Sequence, residues 1–137
     1  MTNAHGMAPV LLLVEDDNAL RQIFSHLLRR EGYQVYAAAT CEEAKELIGS
    51  LSAPPNIVLS DYALPDGDGL LLRRWLWSRG SEPKVFLLVS GSFTQDLVPP
   101  GVEFLAKPFS PKQLCDRLYE LLHAVGQPVP SHHAYVA

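Results

Sequence analysis

The sequence predicts an α/β protein built on a doubly wound, five-stranded parallel sheet in the order 2-1-3-4-5, helices covering both faces. Three observations predict it. Short apolar runs alternate with segments whose apolar residues recur at helical spacing. The runs at 10–14, 57–60 and 85–89 are apolar on almost every consecutive residue, as strands buried on both faces must be; those at 33–38 and 102–106 include polar residues, which suits sheet edges. Four of the runs also end on a reactive polar group: Glu15-Asp16-Asp17, Asp61, Ser90 and Lys107-Pro108.

The elements follow in order. After the first strand, Leu20, Ile23, Phe24, Leu27 and Leu28 mark a helix that stops at Glu31-Gly32. Tyr33 to Ala38 is the second strand, and Thr40-Cys41-Glu42-Glu43 reads as a capping box opening a helix with Ala44, Leu47, Ile48 and Leu51 inward. Pro54-Pro55 ends it before the third strand. Asp66-Gly67-Asp68-Gly69 is a turn and cap for a third helix from Leu70 to Arg79. Between the fourth and fifth strands, Pro99-Pro100-Gly101 cannot continue a helix, so the fourth helix is expected to be short or missing, with a turn or loop over 92–98. The last helix opens at Ser110-Pro111-Lys112-Gln113, with Leu114, Leu118, Leu121, Leu122 and Val125 inward. Residues 1–8 are expected to be a flexible N-terminus, 9–125 the domain, and 126–137 a flexible tail.

Composition narrows the function. At 137 residues with 47% hydrophobic content and a net charge of −4, the chain suits one soluble domain. The only basic pairs, Arg29-Arg30 and Arg73-Arg74, do not make a nucleic-acid surface. Cys41 and Cys115 match no metal spacing and read as reduced structural thiols. No segment suits a signal peptide or membrane insertion, so a cytoplasmic protein is expected. His26 and His123 read as surface helix residues, and His132-His133 as a tail pair.

The strand ends carry the chemistry. In an open sheet of this order, Glu15, Asp16 and Asp61 should meet where the winding reverses. Three carboxylates there repel one another, and a hard divalent cation, Mg2+ or Mn2+, would relieve them. Asp61 can then attack a phosphoryl donor, with the metal, Lys107 and Ser90 each taking one phosphoryl oxygen. Singly, Asp16 or Asp17 could be a helix cap, Asp61 a turn residue, Ser90 a strand-end hydroxyl and Lys107 a loop lysine; capping is the preferred reading for Asp17 only.

From Val10 to about Val125 the sequence resembles the receiver domain of bacterial two-component response regulators, of the chemotaxis-regulator type. The matching stretches are Leu13-Val14-Glu15-Asp16-Asp17-Asn18, Leu59-Ser60-Asp61-Tyr62-Ala63-Leu64-Pro65-Asp66-Gly67-Asp68-Gly69, Leu88-Val89-Ser90-Gly91 and Leu105-Ala106-Lys107-Pro108-Phe109. The resemblance implies a flavodoxin-like fold and a phosphoacceptor at Asp61, charged by a histidine kinase or phosphotransfer protein. It implies that Asp16 holds Mg2+ directly and Glu15 through water, with Asp61 and the main-chain carbonyl of Ala63 as further ligands. It also implies a cis peptide before Pro108, and Ser90 and Phe104 as switch residues, although core packing accounts for Phe104 equally well.

Such a domain is a phosphoprotein that assists its own phosphorylation and dephosphorylation rather than an enzyme. Little chain follows Val125, so the output is expected to be contact with a downstream protein that the sequence does not name. A single-domain regulator, a phosphorelay intermediate and a receiver from a hybrid histidine kinase all stay open. The alternative is a non-phosphorylated receiver-like interaction module. A hydrolase using Asp61 lacks a second carboxylate two residues on, where Ala63 stands. In the third helix Leu71 and Trp75 form a second apolar stripe, read as either covered or an interface.

Overall fold

The structure, a computed structural model, describes residues 7–92 and 95–132. Its main sheet holds β1 (Val10–Val14), β2 (Gln34–Ala38), β3 (Ile57–Asp61), β6 (Val85–Ser90) and β7 (Glu103–Ala106), with a small hairpin of β4 (Ala63–Leu64) and β5 (Gly67–Asp68) beside it. The main-sheet order is β2-β1-β3-β6-β7, all parallel: counted along the chain, this is 2-1-3-4-5. The helices are α1 (Asn18–Glu31), α2 (Cys41–Ser50), α3 (Gly69–Ser78) and α4 (Pro111–Ala124).

Side-chain alternation along the central strands splits the core into two layers. Leu11, Leu13, Ile57, Leu59 and Leu87 pack against Leu28 of α1 and Leu114, Leu118 and Leu122 of α4. Leu12, Val14, Val58, Phe86 and Leu88 pack against Ala44 and Ile48 of α2 and Leu72 and Leu76 of α3. The strands buried on both faces are the consecutive apolar runs, and the mixed runs are the edges.

Caps set the helix ends. Asp17, Thr40, Asp68 and Ser110 each accept an N–H of the following turn, and Ser110 with Gln113 forms a full capping box. The box expected at Thr40 is looser, because Glu43 reaches back to the Ala39 N–H at 2.8 Å. Gly32 ends α1 in the left-handed conformation, φ 111°. In place of a fourth crossover helix, a single 3-10 turn, Gln95–Leu97, precedes Pro99-Pro100-Gly101, as those residues require; Phe93 and Thr94 lie outside the described residues.

The C-terminal segment departs from the expectation of a free tail. The Gln127 N–H donates to Leu122 O, Asn56 Nδ2 donates to Gln127 Oε1, Val129 packs on the core, Pro130 is buried, and the His132 N–H donates to Glu31 O. The chain turns back because Gly126 has φ 70°, and two prolines then hold it extended along the base of the sheet. Residues 1–6 and 133–137 lie outside the described residues.

Candidate functional site

Parallel register brings the strand ends to one level. Val14 pairs with Ser60, Asp61 with Val89, and Ser90 with Ala106, so Glu15, Asp61, Ser90 and Lys107 meet at the carboxyl edge of the sheet. With Asp16, Asp17, Leu20, Ala63, Val89, Gly91 and Ser92 they line an open cleft of about 510 Å3. Ligand oxygens of Glu15, Asp16 and Asp61 lie within 4.8 Å of one another. Glu15 and Asp61 are buried, whereas Asp16 is exposed.

Lys107 joins the two buried carboxylates. Its Nζ stands 2.6 Å from Asp61 Oδ1 and 3.3 Å from Glu15 Oε1. Burial works against the ammonium, but its hydrogen bonds and attraction to Asp61 and Glu15 outweigh that and raise its pKa. Glu15 is pushed above the usual carboxylate range, chiefly by burial and then by the Asp61 carboxyl beside it; the Asp17 N–H, 3.1 Å from Glu15 Oε2, and Lys107 oppose the rise. One ammonium faces three carboxylates, so the cleft has room in its charge balance for a cation.

The backbone around Asp61 at the end of β3 is tightly held. Ser60 Oγ donates to Asp61 O at 2.8 Å, the Tyr62 N–H donates to Val89 O, and the Gly69 N–H donates to Tyr62 O. A Cβ at Gly69 would stand 2.6 Å from Asp61 O, so only glycine lets α3 approach this closely. Asp66 in the hairpin loop accepts the Cys41 and Glu42 N–H groups at 2.8 and 3.0 Å, tying this loop to the start of α2 and lowering the Asp66 pKa. Arg21 Nη1 donates to Glu15 O at 2.9 Å, and the Lys107-Pro108 peptide is cis, as the resemblance implied. Phe109 stacks on Phe24 of α1 with centroids 5.6 Å apart, anchoring the loop behind Lys107.

The structure thus brings together Glu15, Asp16, Asp61, Ala63, Ser90 and Lys107. Phe104 is half-buried against the α2–α3 layer, next to Leu88 in register. Leu71 and Trp75 lie apart on α3: Leu71 is exposed, while Trp75 is half-buried between α3 and Lys45 of α2. Sequence reasoning missed Ser60, Gly69, Asp66 and Arg21. Asp66 and Gly69 left a signal only as parts of the turn and cap that open α3, and Ser60 and Arg21 left none.

Fold and site together define a doubly wound α/β protein with an acidic, lysine-bridged cleft at the switch point of its sheet. The chain belongs to the response regulator receiver domain family, whose profile matches residues 11–119. It is similar to the sensor kinase CckA of Brucella abortus (40% identical over 128 residues, covering 88% of this chain and 13% of that protein). It is also similar to the transcriptional regulatory protein PmrA of Pectobacterium parmentieri (39% over 118 residues, 82% of this chain and 51% of that protein). Among solved structures it resembles the receiver domain of the hybrid histidine kinase CckA (TM-score 0.71, 32% identity, 82% of this chain and 98% of that one). The fold also matches chemotaxis regulator CheY4 of Vibrio cholerae (TM-score 0.74, 23% identity, 85% and 100%). The chain spans only about an eighth of the one curated relative and half of the other. No helix among the described residues is long and apolar enough to cross a membrane.

Proposed function

We propose that this receiver domain takes a phosphoryl group from a histidine kinase or phosphotransfer protein onto Asp61, in a Mg2+-dependent reaction, and signals by contact with a downstream protein. The observation that carries the proposal is the Lys107 ammonium 2.6 Å from Asp61 Oδ1, inside a carboxylate cluster whose ligand oxygens lie within 4.8 Å.

That cluster, all hard oxygen and short of positive charge, fits Mg2+ or Mn2+ better than zinc. Glu15, Asp16, Asp61 and the main-chain carbonyl of Ala63 would hold the ion, which when bound would neutralise charge on the transferring group. The chain's own residues do the rest. A carboxylate oxygen of Asp61 attacks phosphorus as the donor's phosphorus–nitrogen bond breaks, and the electron pair returns to the donor imidazole. Lys107 leaves Asp61 Oδ1 and pairs with a phosphoryl oxygen. Ser90, whose Oγ now accepts the Ser92 N–H at 3.1 Å, turns its hydroxyl to another. Phe104 would then follow Ser90 inward as the switch residue.

The donor would reach the cleft over α1. Leu20 lines the cleft, and the same helix continues into an apolar groove of about 410 Å3 lined by Ile23, Leu27 and Pro111, with Ile23 56% exposed.

The test is intact mass after incubation with Mg2+ and either acetyl phosphate or a phosphorylated kinase. A phosphoryl adduct on wild type, absent from Asp61→Asn and suppressed by chelation, is the expected result. No adduct from either donor would overturn the proposal and leave the non-phosphorylated interaction module.

A further inference from the structure

α3 and its C-cap concentrate groups that the phosphoryl chemistry does not use. Both tryptophans of the chain, Trp75 and Trp77, stand here with Arg73, Arg74 and Arg79, and no acidic residue occurs from 69 to 79 although the chain is net acidic. Two of these arginines are stacked on the rings. The Arg73 guanidinium lies 4.1 Å from the Trp77 centroid, and that of Arg79 4.5 Å from the Trp75 centroid, with Lys45 Nζ 5.3 Å from the same ring. Leu71 is 51% and Trp77 43% exposed, and Arg74 is exposed between them. Among the described residues the ion pairs are Lys107 with Glu15 and Asp61, Lys112–Asp116 and Arg117–Glu103, so none neutralises these arginines.

We infer that the outer face of α3 is a docking surface for an acidic amphipathic segment of a partner protein. The Trp75 ring holds the flat face of the exposed Arg79 guanidinium and leaves its N–H edge set for bidentate pairing with a carboxylate, and exposed Arg74 adds a second cation. Exposed Trp and Arg side by side are the residue types that dominate binding energy at protein interfaces. Leu71, Arg74 and Trp77 follow one another at three-residue spacing and are all exposed, so an apolar residue stands on either side of a guanidinium on the outer face of α3. Arg73 also holds Pro100 O through Nη2 at 3.2 Å, in the region where a longer crossover helix would otherwise flank α3. A second copy would set arginines against arginines, and a nucleic acid would meet the repulsion of a net charge of −4.

The probe is a synthetic amphipathic peptide of about 18 residues with glutamates on one face and leucines on the other, set against its lysine counterpart. Tryptophan emission reports the face directly, since α3 carries the only two tryptophans. Saturable binding of the glutamate peptide alone is expected, weakened about tenfold by Arg74→Glu, less by Arg74→Lys, and falling from about 50 to about 300 mM salt. Equal binding of both peptides, indifference to Arg74→Glu, or no saturable change would overturn the inference. So would self-association in sedimentation that Arg74→Glu alters, or tighter binding to duplex DNA than to the peptide. No phosphoryl donor is present in the measurement, so its failure leaves the reading of Asp61 untouched.

Discussion

Replacing Gly69 by alanine should disturb Asp61 through the backbone rather than through any side chain of the cleft. The added Cβ would stand 2.6 Å from both Asp61 O and Leu88 Cδ1 and 3.0 Å from Ser60 Oγ, where ordinary contact begins at 3.4 Å. Two of these contacts are therefore short by 0.8 Å. Leu88 is fully buried and has little freedom to turn away, so α3 and the Asp61 peptide must part. Overpacking of this kind costs about 1–3 kcal/mol, and the helix propensity gained over glycine, about 1 kcal/mol in a helix interior, offsets only part of that at Gly69, the first residue of α3. The net loss of about 1–2 kcal/mol corresponds to a Tm lower by about 4–8 °C for a domain of this size. A carboxylate shifted by a good fraction of an ångström should accept phosphoryl about tenfold more slowly. Gly49→Ala is the control: nothing lies within 4 Å of its added Cβ on α2, and it should stabilise by about 0.5–1 kcal/mol. Thermal melts and the rate of adduct formation from acetyl phosphate measure both effects. Unchanged stability in Gly69→Ala, or lost stability with an unchanged phosphorylation rate, would refute the reasoning.

Three more outcomes are expected. Asp66→Ala removes the acceptor of the Cys41 and Glu42 N–H groups and should cost about 1 kcal/mol in urea melts; because the folded carboxyl lies below its unfolded value of 3.8, the contribution is present above that pH and should vanish as pH falls through the folded pKa. Cutting the chain after residue 126 uncovers the core beneath Val129 and removes the hydrogen bonds of Gln127 and His132, which should lower stability by about 2 kcal/mol while leaving phosphorylation at the far edge within about twofold. Burial pushes the thiols of Cys41 and Cys115 up to about 11 and about 12, so at pH 8 both should label with a disulfide reagent at least about a hundredfold more slowly than in urea.

The strand ends were legible because each couples an apolar run, which reports burial, to a polar group that cannot share it. Parallel pairing then needs only the strand order to bring Glu15, Asp61, Ser90 and Lys107 together, and edge composition supplied that order. The shortened crossover was legible from Pro99-Pro100-Gly101, since proline constrains the backbone whatever surrounds it. What escaped depends on three-dimensional approach. Asp66 caps a helix that begins 25 residues earlier, and no local pattern pairs it with Cys41. Val129 and Pro130 look like linker residues, yet they close the base of the sheet because Gly126 turns the chain. Trp75 shares its stripe with exposed Leu71, and it is the core layer beneath it together with Lys45 and Arg79 over its ring that separates the two.

Met7, Ala8 and Pro128 line one small cleft beside Asn56, whose side chain accepts the Val10 N–H and donates to Gln127. The incoming and outgoing chain therefore run side by side, at the end of the strands opposite Asp61. A unit wired this way behaves like a two-pin plug. It can be inserted into a longer polypeptide at one point, or permuted by joining its pins, without drawing the flanking modules across the carboxylate cleft. Residues 7–10 and 127–130 thus share the base, and the carboxylate rim lies at the other end of the strands.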